Sequence, residues 1–548
     1  MGKRSSFIDK IPKRDIIKSE SGICQKLKGG FIVSYSPSLG SSISNTKIRT
    51  PENTSDFSGM CTVCTANCTG FCEIGLSAIR GSEAIYPFET NKNQFASEKD
   101  YPLDFSHFNI NGRVFGALGC TEDTEAATFP KANIDAEFGI DNKIKLKAPI
   151  ILPAMAKLNW EDYYAGAALA GVLVVIGEAV VAKDKDLVIE NGKVTSSPLI
   201  EKMISSFRKY YRGYGDIILQ ANYDDENIRV LDYAITKLGV KSVELKFGQG
   251  SKGIQGMGRV KNIEDALKFQ KMGYLIYPDP SDPVVAENYK KGIGRVFEKI
   301  GRLPMWNKDI LVKRVAELRE LGAEHVCFKT GPYDPKDIVK ILKIASEAGV
   351  DLVTFDGAGG GSGNSPTKMM NEWGIPTVYM ESLLHDILRR FKEKDYFIPQ
   401  IAVAGGFAME DQVFKGLSLG APYINLIGIG RAAMAAALVG KHVGELINKG
   451  IVPKEYKRFG STVEEIFGDI RELKGLYDDV SNMSPGAIGL YSYINRISTG
   501  VKQLMSLNRK FSLEYIDRSD IIPLTQLASK VTGLDTYKDK TGKALEDI

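Results

Sequence analysis

Eight short runs of apolar and β-branched residues recur through the middle of this 548-residue chain, separated by amphipathic stretches. The runs cover residues 148–156, 171–179, 216–222, 242–248, 324–331, 351–359, 399–406 and 423–430. Because they are apolar throughout, they predict strands buried on both faces, as in a parallel sheet covered by helices. Intervening stretches such as residues 225–239 space apolar residues three and four apart and end on glycine, a pattern typical of helices.

Eight strand–helix units predict an α/β fold of the (β/α)8 TIM barrel type, with a doubly wound open sheet as the alternative. We expect an irregular, cysteine-containing N-terminal region over residues 1–145, the barrel over 146–450 and a helical C-terminal extension over 451–548. The connection at residues 249–323 is too long for a simple loop and predicts a functional insertion or lid.

The charge is nearly balanced, with 71 basic and 67 acidic residues. This balance gives no basis for a nucleic acid or a membrane surface as the partner. Residues 165–182 are apolar enough to suggest a membrane span, but Glu178 and several glycines favour a helix end, a turn at Gly171 and a buried strand. Seven cysteines without a recognisable secretory signal favour a cytoplasmic protein whose clustered thiols bind metal or carry out redox chemistry.

Charged and polar side chains stand where the predicted strands end, which is where a barrel of this type forms its active site. The residues at the strand ends are the apolar Met155 and the polar or charged Glu178, Gln220, Lys246, Lys329 and Asp356. Buried charge is unfavourable unless it is paired or used in chemistry, so these positions predict a functional site. A purely structural ion pair between Glu178 and Lys246 is the alternative.

Glycines follow the last three predicted strands, at residues 357–361, at Gly405 and Gly406, and at Gly428 and Gly430. Glycine allows a ligand to approach the backbone closely, and the helices that follow can hold an anion at their N-termini. Loops after the seventh and eighth strands are the usual phosphate site of such barrels. A phosphate-bearing cofactor is therefore expected.

Four of the seven cysteines fall within twelve residues, in the stretch CTVCTANCTGFC. They are Cys61, Cys64, Cys68 and Cys72. Their spacing is similar to that of thiolates that hold an iron–sulfur cluster, here predicted to be 4Fe-4S. A structural zinc site and free or oxidised thiols are the alternatives. Cys120 could replace one ligand, whereas Cys327 is predicted to be a core thiol inside a strand.

Several motifs occur in order over residues 146–440: KFGQGSKGIQG, FKTG, DGAGGGSGNSP and VAGGFAMEDQVFKGLSLGA, preceded by PAMA and IGEA. Together they resemble the FMN-binding domain of the glutamate synthase large-subunit family, particularly its archaeal-type form. The resemblance implies a (β/α)8 barrel with FMN and an iron–sulfur cluster. It also implies reduction of the imine formed from 2-oxoglutarate and ammonia, with electrons from ferredoxin or a partner reductase.

The resemblance and the strand-end positions together assign residues to two roles. Those expected to hold FMN are Ala154, Met155, Gln220, Lys329, Gly357, Gly360, Gly361, Gly405, Gly406, Gly428, Gly430 and Arg431. Those expected to act on the substrate or flavin are Glu178, Lys246, Lys252 and Asp356. Lysines suit a dicarboxylate substrate and an anionic reduced flavin, and a carboxylate can move the proton that imine formation requires.

The chain also departs from the family's pattern. Gly258 stands where the family has a glutamine that helps bind 2-oxoglutarate, and Ala358 and Gly359 replace an acidic residue of the usual loop. No cysteine follows Cys327 to supply the family's usual cluster ligands. These departures leave two other hypotheses open: an FMN barrel acting on a different small substrate, and an electron-relay subunit without a substrate. Assembly as a homo-oligomer or as part of a multi-subunit complex also stays open.

Overall fold

The computed structural model describes most of the chain from residue 73 onward. The described residues are 16–19, 22–25, 36–37, 47–50, 73–86, 96–97, 99–155, 158–254, 257–361, 365–478, 480–546 and 548. The four clustered cysteines at 61–72 lie outside them. The chain divides into two compact units, one formed by Met1–Ile85 with Glu98–Asp100 and the other by Tyr86–Ser97 with Tyr101–Ile548.

Among its described residues, the first unit contains two antiparallel strand pairs and a helix. Ile16–Ser19 pairs with Gly22–Gln25, and Ser36–Pro37 pairs with Lys47–Thr50. The helix is Glu73–Arg80, and a 3-10 turn at Gly81–Ile85 follows it.

The second unit is built around eight parallel strands that close into a barrel. In chain order these strands are β1 (Ile150–Met155), β2 (Leu173–Ile176), β3 (Asp216–Ala221), β4 (Ser242–Lys246), β5 (His325–Thr330), β6 (Leu352–Asp356), β7 (Gln400–Ala404) and β8 (Ile424–Gly428). Each lies within one of the eight apolar runs. The closed barrel confirms the predicted (β/α)8 class over the open sheet.

Helices alternate with these strands. They are α1 (Trp160–Ala170), α2 (Pro198–Arg208), α3 (Val230–Leu238), α4 (Lys308–Glu320), α5 (Pro335–Ala348), α6 (Thr377–Glu393), α7 (Glu410–Gly420) and α8 (Arg431–Asn448). Gly171 ends α1 at φ +64° and leads into β2, as expected for the apolar segment 165–182. Among the described residues, none of the helices is long and apolar enough to cross a membrane.

The barrel has an inner and an outer apolar layer, because successive strand residues point to opposite faces. The inner layer contains Leu173, Val175, Ile218, Cys327, Leu352, Ala402 and Leu426. A hairpin of Ala136–Phe138 and Ile144–Leu146 contributes Phe138 to the same layer. Cys327 is fully buried there, as predicted for a core thiol.

The long connection after β4 forms a small sheet. Its strands are Met257–Val260, Phe297–Ile300 and Leu275–Tyr277, with the middle one antiparallel to both neighbours. Two helices, Ile263–Lys271 and Pro283–Lys290, complete this insertion. The long connection is therefore an insertion with its own secondary structure, and a functional role for it stays a prediction.

The chain beyond the barrel is mainly helical. Its longest helix, α9 (Pro485–Leu507), packs against α1 and α8. The strand Ile521–Pro523 pairs with Phe108–Ile110, a segment about four hundred residues earlier.

Short helices and one further hairpin complete the second unit, both within the barrel region and after it. The helices are Tyr223–Asn227, Thr367–Glu372, Val463–Ile466, Ile470–Leu476, Gln526–Thr532 and Tyr537–Leu545, and the hairpin pairs Val188–Glu190 with Lys193–Ser196.

Candidate functional site

The two-residue period of the strands brings polar side chains together inside the carboxyl end of the barrel. Ile218 and Cys327 lie in the inner layer, so Gln220 and Lys329, two residues further along, face inward as well. Lys329 also pairs directly with Lys246 of the neighbouring strand β4. The strand ends therefore converge on one region, as expected for a barrel mouth.

A cavity of about 300 Å³ lies at this mouth. It is lined by Pro153, Ala154, Met155, Gln249, Lys329, Asp356, Gly359, Gly360, Gly361, Ala404, Gly405, Gly406, Phe407, Ala408, Gly428, Gly430, Arg431 and Ala432. Most residues expected to hold a cofactor are thus found in one place. Gln220, Gly357, Glu178, Lys246 and Lys252 do not line it.

One wall of the cavity carries a pair of opposite charges. Lys329 Nζ lies 3.9 Å from Asp356 Oδ2, and both side chains are buried. The pair is too far apart for a hydrogen bond, so each group keeps hydrogen-bonding capacity that a bound ligand can use.

Backbone from the loops after β6 and β7 forms another part of the wall. A Cβ added at Gly359 would lie 2.7 Å from the backbone nitrogen of Gly406, and one at Gly360 would overlap the Asp356 carboxylate. Gly406 has φ +95° and open space beside its Cα. A side chain at Gly359 or Gly360 would collide with the neighbouring loop or with Asp356, and the positive φ of Gly406 favours glycine, which explains glycine at these three positions.

The cavity also touches the beginning of α8. Gly430 precedes this helix, and a Cβ built on Gly430 would meet open space. Arg431, the first helical residue, donates through Nη2 to the carbonyl of Gly359 at 3.2 Å. The free N–H groups of a helix start and an adjacent guanidinium form a binding site suited to a phosphate.

A second polar cluster joins the ends of β2 and β4. Lys246 Nζ lies 2.5 Å from Glu178 Oε1, and Lys252 Nζ lies 3.1 Å from the same oxygen. Only 1% of the Lys246 side chain is exposed. The ion pair that we considered as a structural alternative is therefore formed, but it includes a second lysine.

The cluster has an excess of positive charge, which shifts its proton affinities. Although burial alone would raise the pKa of Glu178, the two ammonium groups hold that pKa well below its ordinary value. Burial lowers the pKa of Lys246 to about 7, against the opposing attraction of Glu178. A lysine that exchanges its proton near neutral pH is suited to acid–base chemistry.

Gln249 connects this cluster to the cavity, and the sequence reasoning missed it. Its Oε1 accepts a hydrogen bond from Lys246 Nζ at 2.5 Å, and its Nε2 donates to the carbonyl of Gly361 at 2.6 Å. The signal was present, because Gln249 lies inside the KFGQGSKGIQG motif.

Gln220 lies beneath the cavity rather than on its surface. Its Nε2 donates to Glu244 Oε1 at 2.5 Å, while Gln220 Oε1 and Glu244 Oε2 are buried with no hydrogen-bond partner in the described part of the chain. Burial raises the pKa of Glu244, a residue that was also missed although it is an acidic residue inside a buried strand. Gly357 lies in the wall behind, donating its N–H to the carbonyl of Ala404.

Gly258 lies on a strand of the insertion, where it pairs with Lys299. It supplies no side chain at the position where the family's glutamine was expected.

The predicted metal ligands are not tested by the structure, because Cys61, Cys64, Cys68 and Cys72 lie outside the described residues. Within the described residues, no group of three or more His, Cys, Asp or Glu side chains could hold a metal ion. Cys120 is partly exposed and has no disulfide partner there.

Part of this barrel is similar in sequence to known proteins. Residues 304–440 match the family model for the conserved region in glutamate synthase. The glutamate synthase large subunit-like protein YerD of Bacillus subtilis (strain 168) is 21% identical over 189 residues, covering 34% of this chain and 32% of that protein. The archaeal-type glutamate synthase (NADPH) of Dehalococcoides mccartyi is 33% identical over 214 residues, covering 38% and 37%.

These matches span about a third of the length of both curated relatives. Among solved structures, the recombinant flavin-binding domain of baker's yeast flavocytochrome b2 aligns with a TM-score of 0.43 at 13% identity, covering 80% of this chain and 81% of that one. The resemblance drawn from the sequence motifs is confirmed by the family model and the curated relatives.

Proposed function

Residues 304–440 carry the conserved region of glutamate synthase, and from this premise we propose that the chain is an FMN-dependent oxidoreductase that reduces an imine to an amino acid. The observation that carries the proposal is the cavity at the barrel mouth, where glycine loops, Lys329 and Arg431 adjoin the buried Glu178–Lys246–Lys252 cluster.

The residues present fit FMN in two respects. The helix start at Gly430 and the guanidinium of Arg431 suit its phosphate, since both present N–H donors to one space. Glycine at 359 lets the loops after β6 and β7 pack closely, and open space beside Gly406 is left for a ligand.

When bound, FMN supplies hydride transfer. Lys329 contributes positive charge at the cavity wall, which stabilises negative charge on a ligand there, and Asp356 holds the lysine in place. Phe407 and Ala408 help to exclude water from the same cavity.

The substrate proposed is 2-oxoglutarate with ammonia. Lys246 and Lys252 outnumber the one carboxylate between them, so the cluster can receive a further carboxylate from a dicarboxylic acid. Condensation of the oxo group with ammonia releases water and gives an imine. Addition of a hydride and a proton to that imine gives glutamate, and Lys246 can donate the proton from Nζ because its pKa is about 7.

Electrons are proposed to come from ferredoxin or a partner reductase through a 4Fe-4S cluster on Cys61, Cys64, Cys68 and Cys72. The spacing of these cysteines supports the cluster, because it is similar to the spacing of cysteines that bind iron–sulfur clusters through their thiolates. A cytoplasmic location and assembly with a reductase subunit accompany this proposal.

A different small substrate is the second candidate, and Gly258 favours it. With no side chain at that position and with the residue on the insertion's sheet, one expected contact to 2-oxoglutarate is missing. In that case FMN and the polar cluster keep their roles, and the oxo acid differs.

The test is glutamate formation by anaerobic protein reconstituted with FMN and reduced with dithionite. With 2-oxoglutarate and ammonium, we expect glutamate in proportion to the reductant consumed, and no product without ammonium. If the flavin stays reduced in the presence of both compounds, 2-oxoglutarate is not the substrate, and a panel of other 2-oxo acids identifies the alternative.

A further inference from the structure

Asp225 is a buried acid that neither lines the cavity nor belongs to the lysine cluster. It lies in the short helix Tyr223–Asn227 after β3 and is 1% exposed. Its Oδ2 accepts a hydrogen bond from the N–H of Ala179 at 2.8 Å and another from the N–H of Asn222 at 3.3 Å. The side chain thus links the loop after β3 to the turn after β2.

The backbone held by this bond is unusual. Ala179 has φ +59°, in the left-handed region that a residue with a Cβ rarely adopts. Such a conformation persists only where neighbouring groups enforce it. Asp225 supplies the hydrogen bond at this point, from the short helix that follows β3.

Ala179 directly follows Glu178, the carboxylate that both Lys246 and Lys252 contact. A change in the turn would rotate the peptide that carries Glu178 and move its carboxylate away from the lysines. We propose that Asp225 is a positioning residue, whose carboxyl group holds the left-handed turn at Ala179 and thereby fixes Glu178 against Lys246 and Lys252. The consequence of this positioning for catalysis rests on the proposed function, whereas the positioning of Glu178 by Asp225 does not.

The titratable groups that face Asp225 come from the β2 side and from the insertion. Glu178 lies on the β2 side, and Lys299 and Tyr274 face Asp225 from the insertion. Lys299 Nζ lies 4.2 Å from the centre of the Tyr274 ring. The neighbouring Asp224 has a separate role, since it accepts hydrogen bonds from the backbone N–H and the Nη1 of Arg302 at 3.1 and 2.6 Å.

Burial raises the pKa of Asp225 to about 7, the charge of Glu178 adds to this rise, and Lys299 opposes it. Oδ1 is buried without a hydrogen-bond partner among the described residues, so the proton is placed there while Oδ2 accepts both amides. Opening of the turn would expose the carboxyl to water and return its pKa toward the ordinary value of 3.8. The closed turn therefore binds the proton more tightly, and raising the pH toward 7 must favour opening.

The experiment is hydrogen–deuterium exchange of peptides covering residues 172–182, in the full chain, from about pH 5 to pH 8. After correction for intrinsic exchange, wild-type protection should fall as the pH rises toward 7 and then level off. Asp225→Ala should exchange about tenfold faster or more at every pH, because it loses both accepted bonds. Asp225→Asn, which keeps an acceptor oxygen and imitates the protonated acid in both the closed and the open turn, should protect the turn at pH 5 at least as well as wild type and should lose the pH dependence.

Asp224→Asn is the matched control, and it should loosen residues 297–303 without changing the turn. The proposal is overturned if Asp225→Ala leaves exchange at 172–182 unchanged, or if Asp225→Asn loosens the turn at pH 5 as much as alanine does. If the alanine variant does not fold, the pH dependence of exchange at residues 172–182 in Asp225→Asn decides whether Asp225 holds the turn. Under the proposed function, Asp225→Ala also raises KM for 2-oxoglutarate at unchanged FMN affinity. If the wild-type protein does not convert 2-oxoglutarate, the proposed substrate is wrong. The hydrogen–deuterium exchange experiment still tests the positioning role of Asp225 in that case.

Discussion

At the scale of single residues, the site depends on charges that stabilise one another away from water. Lys246 and Lys252 both form ion pairs with the same oxygen of Glu178, and Lys246 also donates a hydrogen bond to Gln249. Buried charges of this kind tolerate the loss of a partner poorly, because the remaining charge stays without water or a counter-ion. The pKa of Glu178 lies well below its ordinary value because the two lysines stabilise the charged carboxylate against the effect of burial.

We expect Glu178→Gln to lower the free energy of unfolding by about 3 kcal/mol or more at pH 6, since it leaves two buried lysines without their carboxylate. Because the folded-state pKa of Glu178 lies below its unfolded value of 4.5, this stabilisation is present above that pH and is lost as the pH falls. Urea unfolding at pH 6 and at about pH 3 measures both effects.

The control is Glu137→Gln, in an exposed pair with Lys143. Its cost should stay within about 0.5 kcal/mol, as for most surface ion pairs. Equal costs for the two variants at pH 6 would mean that the buried cluster contributes nothing beyond a surface pair.

Sequence reasoning reached some of these residues and not others, for a physical reason. Lys246, Lys329 and Asp356 stand at the ends of buried strands, where a charge is conspicuous in the sequence. Asp225 lies in a polar helical stretch, where an acidic residue is ordinary. Only the contact with Ala179, formed when β2 and β3 become neighbours, gives it a role.

At the scale of elements, the barrel places three glycine-bearing loops side by side. The eight strands were predicted because burial on both faces requires continuous apolar runs. The approach of the loops after β6 and β7 was not predictable from either loop alone. It follows from the parallel pairing of these strands, in which Asp356 lies opposite Ala404.

We expect Gly359→Ala to weaken FMN binding about tenfold or more, because a Cβ placed 2.7 Å from the Gly406 nitrogen must displace a packed loop. Fluorescence titration of the protein with FMN measures the change. Gly468→Ala is the matched control, since a Cβ there meets nothing within 4 Å. Unchanged affinity in Gly359→Ala would show that these loops do not form the flavin cradle.

At the scale of the whole molecule, the polypeptide joins distant segments around one barrel. The hairpin containing Phe138 contributes to the inner layer, and Phe108–Ile110 pairs with Ile521–Pro523. Phe108–Ile110 was not predicted as a strand, because its strand partner lies about four hundred positions away. The compact unit that contains the barrel comprises Tyr86–Ser97 and Tyr101–Ile548.

We propose that this barrel holds FMN at its mouth and that electrons reach the flavin through an iron–sulfur cluster on Cys61, Cys64, Cys68 and Cys72. The anaerobic absorption spectrum of the purified full chain tests this proposal. We predict flavin bands that bleach on reduction, together with a broad iron–sulfur absorption that is lost with iron chelation. A protein without flavin bands, which also fails to gain them when titrated with FMN, would contradict the account.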